Sequence, residues 1–162
     1  GYDEAIIRGE DWDLAQRIKK SGGLVWFSPE LRVTYWPRGR FSNLVKQFYS
    51  TGIWRGDLTK RDIRGASTRY FAPPVLVLGL FAGLVLLAFG QILGILPWAV
   101  YLAAIFALAV TASGLSLKSR IALAIALPIM HLSWGVGFVK GFFTGAGTTI
   151  DKGRLSGKAA GK

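Results

Sequence analysis

Residues 71–143 read FAPPVLVLGLFAGLVLLAFGQILGILPWAVYLAAIFALAVTASGLSLKSRIALAIALPIMHLSWGVGFVKGFF. Only Lys118, Arg120 and Lys140 carry charge in this stretch, and it holds no acid. About 20 apolar residues cross the hydrocarbon core of a bilayer, so the run is too long for one crossing. It divides at Gly90-Gln91 and at Pro97, which predicts helices near 73–93 and 97–115 joined by a very short turn. A third apolar helix is expected over 121–143, with a break near Pro128. Trp98, Tyr101 and Trp134 have the amphipathic rings of interfacial anchors. His131, beside Ser133, reads as a hydrogen-bond partner between helices.

Outward from this block the charge changes abruptly. Residues 1–70 hold 13 of the 20 Lys/Arg and 8 of the 9 acids, and residues 144–162 add four bases against Asp151. A polar head, an apolar middle and a basic tail describe a membrane protein; a nucleic-acid-binding domain has no use for so long an apolar run. With no cysteine there is no disulfide framework and no thiolate chemistry. The lone histidine cannot assemble a zinc site. The chain opens on Gly1-Tyr2-Asp3-Glu4 in what reads as mid-domain sequence, so a fragment of a longer protein is expected.

In the head, Glu10 to Lys20 reads as a short helix. Acids occupy its first turn and bases its last, as the helix dipole favours. Asp13 and Arg17 are spaced for an i, i+4 pair, and Ser21-Gly22-Gly23 ends the helix. Leu24 to Phe27 then reads as a short buried strand, Ser28-Pro29-Glu30 as a turn and Leu31 to Trp36 as a second extended run. From Phe41 to Trp54 the apolar residues Phe41, Leu44, Val45, Phe48 and Tyr49 recur at helical spacing. With the bases of Arg55 to Arg69 behind them, they predict an amphipathic helix in the lipid interface. The Gly- and Lys-rich tail from Thr144 reads as flexible.

Two motifs carry a resemblance. Gly1-Tyr2-Asp3-Glu4, Gly9-Glu10-Asp11-Trp12-Asp13-Leu14 and Arg17 resemble the late catalytic-domain stretch of glycosyltransferase family 2 enzymes of the membrane-anchored bacterial type, which build exopolysaccharide or cell-envelope glycans. Gln47-Phe48-Tyr49-Ser50-Thr51-Gly52-Ile53-Trp54-Arg55 is similar to the Gln…Gly-x-Trp-Arg segment that follows it there. The resemblance implies the C-terminal part of an α/β GT-A catalytic domain followed by an α-helical membrane anchor. It divides the chain into the end of the catalytic domain at 1–40, an interfacial helix and basic linker at 41–70, a membrane region at 71–143 and a tail at 144–162.

The reaction so implied is an inverting transfer from a nucleotide-diphospho-sugar to a lipid-linked or polysaccharide acceptor. It takes place at the cytoplasmic face of the inner membrane, with membrane lipids as further partners and no nucleic acid. Asp11 matches the general base that takes the acceptor hydroxyl proton, and Glu10 helps to shape the acceptor side. Gln47, Trp54 and Arg55 match residues that contact the diphosphate and the acceptor sugar. Trp54 and Arg55 also suit anchors among lipid headgroups. The order departs from the Gln-x-x-Arg-Trp of processive synthases, and Tyr35 stands where related enzymes carry a histidine. The resemblance implies a divalent metal, Mg or Mn, in the full-length enzyme. Its ligands are not expected in this chain, which should be inactive alone. The alternative from a different class is a non-catalytic membrane adaptor whose basic helix binds anionic lipid.

Overall fold

A computed structural model describes residues 1–3, 6, 9–34 and 40–147. The chain forms α1 (Glu10–Lys20), α2 (Phe41–Arg61), a 3₁₀ turn at Thr68–Phe71, α3 (Ala72–Ala88), a second 3₁₀ turn at Ile92–Ile95, α4 (Leu96–Thr111) and α5 (Leu117–Thr144). All regular structure among the described residues is helical, which overturns the α/β expectation. Leu24 to Phe27 and Leu31 to Thr34 have strand-like composition but lie unpaired. Leu24 is 93% and Trp26 88% exposed. A strand persists by exchanging backbone hydrogen bonds with a neighbour, and the described residues supply none. Glu4, residues 35–39 and the tail from residue 148 lie outside the described residues, and with them the end of the second extended run and the tail expected to be flexible.

α1 has Glu10, Asp11 and Asp13 in its first turn and Arg17, Lys19 and Lys20 in its last. Arg17 and Asp13 pair at 2.8 Å. Gly22 takes φ +81° just past the helix end, a conformation open to glycine and costly to most other residues. The Lys20 ammonium meets Asp62 at 2.5 Å and ties the end of α1 to the end of α2. That bond holds the Asp62 carboxyl below its usual value, helped by the Gly65 N–H and opposed by partial desolvation.

α2 runs well past Trp54, through two glycines that would ordinarily weaken a helix. They are there for contact with α5. A methyl group on Gly52 would overlap the Trp134 carbonyl, and one on Gly56 the Phe138 carbonyl. From the other side, Gly137 abuts Tyr49 and Gly141 abuts Ile53. Rising numbers pair with rising numbers, so α2 and α5 run parallel with their backbones in contact, as small-x-x-x-small spacing permits. α2 also contributes to a core of Ile6, Ile53, Trp54, Leu58 and Ala146, with Trp12 and Tyr49 packed against it.

Three helical stretches, Thr68–Ala88, Ile92–Thr111 and Leu117–Thr144, are long and apolar enough to cross a membrane. α5 starts on Ser116, whose side chain accepts from the Ser119 N–H. It passes through Pro128 without interruption, which corrects the break expected there. Proline removes one intrahelical bond, and packing against neighbours makes that tolerable in a membrane helix. α4 and α5 form an antiparallel hairpin. The Tyr101 hydroxyl meets His131 Nδ1 at 3.2 Å, and Arg120 donates to the Val110 carbonyl near the turn. Trp98 donates its indole N–H to the Leu80 carbonyl of α3 at 3.1 Å, so its polar edge is spent inside the protein.

Candidate functional site

The two motifs meet at Arg55. It lies on α2 between the seam glycines Gly52 and Gly56, and its side chain reaches to α1 and to the 3₁₀ turn before α3. The guanidinium carbon stands 4.1 Å from the centre of the Trp12 ring and 4.5 Å from that of Tyr70. The rings hold each other in place: Trp12 Nε1 donates to the Tyr70 hydroxyl at 3.0 Å, and the two meet edge to face at 5.9 Å. A second cation, Arg69, stands 5.4 Å from the outer side of this cluster at Tyr70.

Among the described residues nothing hydrogen-bonds the buried Arg55 Nη1. Burial pushes the Arg55 pKa down, Tyr70 and Asp11 push it up, and Arg69 pushes it down again. The group nevertheless stays a cation at neutral pH. Ring faces attract a cation electrostatically but accept few of its five N–H donors. The cradle therefore holds a positive charge with donor capacity to spare, a fit for phosphate or carboxylate oxygens.

Asp11 is exposed in the first turn of α1, immediately before Trp12, and its Oδ1 accepts from the Trp12 N–H at 2.7 Å. Glu10 precedes it in the same turn. Trp54, in contrast, is 5% exposed and packs in the core, so its ring has neither a sugar-facing nor a lipid-facing surface. Gln47 is half-buried about 12 Å along α2 from Arg55 and takes no part in the cradle. The structure thus brings together Asp11 and Arg55 and leaves Gln47 and Trp54 apart from them. Motif reading missed Trp12 and Tyr70. Trp12 stood in plain view as the residue after Glu-Asp; Tyr70 was hidden in what looked like a basic approach to the membrane.

Beside the cradle the chemistry turns apolar at once. Phe71 follows Tyr70 and meets Phe138 edge to face at 5.7 Å. Phe71, Pro74, Val75 and Leu78 on one side, with Phe138 and Phe142 on the other, line a groove of about 180 Å³. Among the described residues no three His, Cys, Asp or Glu side chains gather to hold a metal ion.

No protein-family model matches the chain, and no solved structure matches it. It is similar to the succinoglycan biosynthesis protein ExoA of Rhizobium meliloti (strain 1021), with 30% identity over 145 residues. The alignment covers 85% of this chain and 42% of that protein, so the chain spans less than half the length of the relative it matches.

Proposed function

We propose that the chain is part of a membrane-bound, inverting glycosyltransferase of the family 2 kind. It moves a sugar from a nucleotide-diphospho donor to a lipid-linked acceptor at the cytoplasmic face of the inner membrane. The observation that carries this reading is the seating of Arg55 on the ring of Trp12, the residue that follows Asp11, because it sets an anion site from one motif beside a candidate base from another. The similarity to a succinoglycan biosynthesis protein supports it independently.

In the proposed reaction the acceptor hydroxyl attacks the anomeric carbon as the bond to the diphosphate breaks. The Asp11 carboxylate takes the hydroxyl proton. Arg55, with Arg69 nearby, attracts the phosphate oxygens, and the rings of Trp12 and Tyr70 hold its guanidinium in a fixed plane. The neighbouring apolar groove favours an acceptor with a hydrocarbon tail over a free polysaccharide. The described residues do not fit a metal site, and no step here runs through one.

Asp11→Asn in the full-length protein tests the reading. Loss of a positioned base lowers transfer by about 10²–10⁴-fold, with membrane insertion unchanged. Activity within about threefold of wild type would remove Asp11 from the mechanism.

A further inference from the structure

The contacts among the apolar helices fix their relative heights, and those heights do not describe three crossings. α2 carries Lys46, Arg55, Asp57, Lys60 and Arg61, charges that hydrocarbon does not accommodate. It packs along Trp134 to Phe142 of α5, so that end of α5 lies on the same side as α1 and α2, the head side. α3 starts at this level too. A methyl group on Gly135 would press on the Pro73 carbonyl and on Val77, and Phe71 touches Phe138.

α4 also begins there. In the antiparallel α4–α5 pair, Tyr101 stands beside His131, which places Trp98 level with Trp134. α3 meets that end of α4: Leu80 accepts from Trp98, and Gly83 abuts Gly94 and Pro97. Whether α3 ran down or up the α4–α5 pair, Pro73 and Leu80 would differ in height by about 10 Å. They meet the pair at the same height, so α3 runs across it. A wedge of about 480 Å³, with Leu76, Leu80, Pro97, Val100 and Tyr101 in its walls, opens where α3 and α4 splay apart.

We infer that α3 is a one-leaflet helix whose partner is the hydrocarbon of the head-side leaflet, that α4 and α5 alone cross the membrane, and that the end of α5 returns to the head side. A helix that is apolar all round sinks into hydrocarbon without needing to span it, because its backbone bonds are satisfied internally. α5 has 28 residues, about 42 Å of helix, against a core of about 30 Å. Its surplus is the glycine-rich end that α2 grips. The arrangement leaves only Lys118 and Arg120 on the far face, whereas three crossings would send Lys140 and the four bases after it there.

The absence of cysteine from this chain makes single-cysteine labelling direct. In the full-length protein, with any cysteine elsewhere replaced, an impermeant maleimide is applied to intact and to permeabilised cells. Asn43→Cys on α2 marks the head side. Thr144→Cys is expected to match Asn43→Cys, Ser113→Cys to give the opposite pattern, and Gln91→Cys to match Asn43→Cys or to stay unlabelled in both. Three full crossings give the reverse at all three positions. Labelling of Gln91→Cys from the far face overturns the one-leaflet helix, and labelling of Thr144→Cys from there overturns the return of α5. A Ser113→Cys that matches Asn43→Cys overturns the crossing hairpin. Recovery of each variant in the membrane fraction separates these outcomes from failed insertion.

Discussion

Arg55 is where three segments of chain close on one another. Its guanidinium has been drawn partly out of water, which disfavours the charge, and two ring faces replace some of the lost solvation. Contacts of this kind contribute about 0.5–2 kcal/mol each, more when desolvated. Lysine at this position would keep the charge and lose the flat surface that lies on the rings. The contact should therefore appear as coupling between Trp12 and Arg55. In a double-mutant cycle of Trp12→Leu and Arg55→Gln, the coupling energy is expected at about 1–2 kcal/mol. It can be read from the rate of limited proteolysis in the exposed segment 21–34 of the purified protein. Coupling near zero would mean that α1 is held to α2 by the packing of Trp12 on the core and by the Lys20–Asp62 pair, without the cation–ring contact.

At the scale of elements, much was legible and the errors have definite causes. α1 was legible because acids, bases and a terminal glycine pair all mark the same boundaries. The start of α2 followed from its periodicity, but its end did not, since Gly52 and Gly56 look like helix breakers until α5 is laid against them. Pro128 misled for the same reason. The supposed strands failed because composition marks a segment that can pair, while pairing itself depends on a second segment. In the site, Asp11 and Arg55 were marked by motif. Trp12 and Tyr70 are joined by a contact across 58 positions of chain, which no local pattern announces.

The glycine seam also yields a prediction at this scale. Gly141→Val puts a branched side chain into the Ile53 backbone and should separate the helices at that point. Overpacking of this kind typically costs about 1–3 kcal/mol or more, and because Arg55 is on α2, activity should fall with thermal stability. Gly79→Ala is the matched control. Its added methyl meets open space, and alanine favours a helix interior over glycine by about 0.5–1 kcal/mol. Melting of the two variants in detergent should move in opposite directions; equal behaviour would deny the seam a special role.

At the scale of the whole molecule, the proposed reading has the membrane both anchor the protein and supply part of its site. Apolar helices hold the chain in the bilayer, and α5 holds α2, so the bases on and after α2 are not needed for anchoring. Lys60 and Arg64 are exposed and, among the described residues, join no ion pair that ties the fold. Each base near an anionic surface contributes about 1 kcal/mol, far less than insertion of apolar helices. Reversing both, Lys60→Glu with Arg64→Glu, should leave the protein in the membrane pellet after alkaline extraction. What should change is the dependence of transfer on lipid charge. Where the head sits close enough to the bilayer for Arg55 to meet a lipid-borne phosphate, wild-type activity rises with the anionic fraction of reconstituted vesicles, and the double reversal flattens that rise. Added salt should flatten it too, because exposed charges are screened over about 8–10 Å at physiological ionic strength. Release of the variant by alkaline extraction would mean that surface charge had been the anchor. An unchanged lipid dependence would mean that these bases do not face the bilayer during transfer.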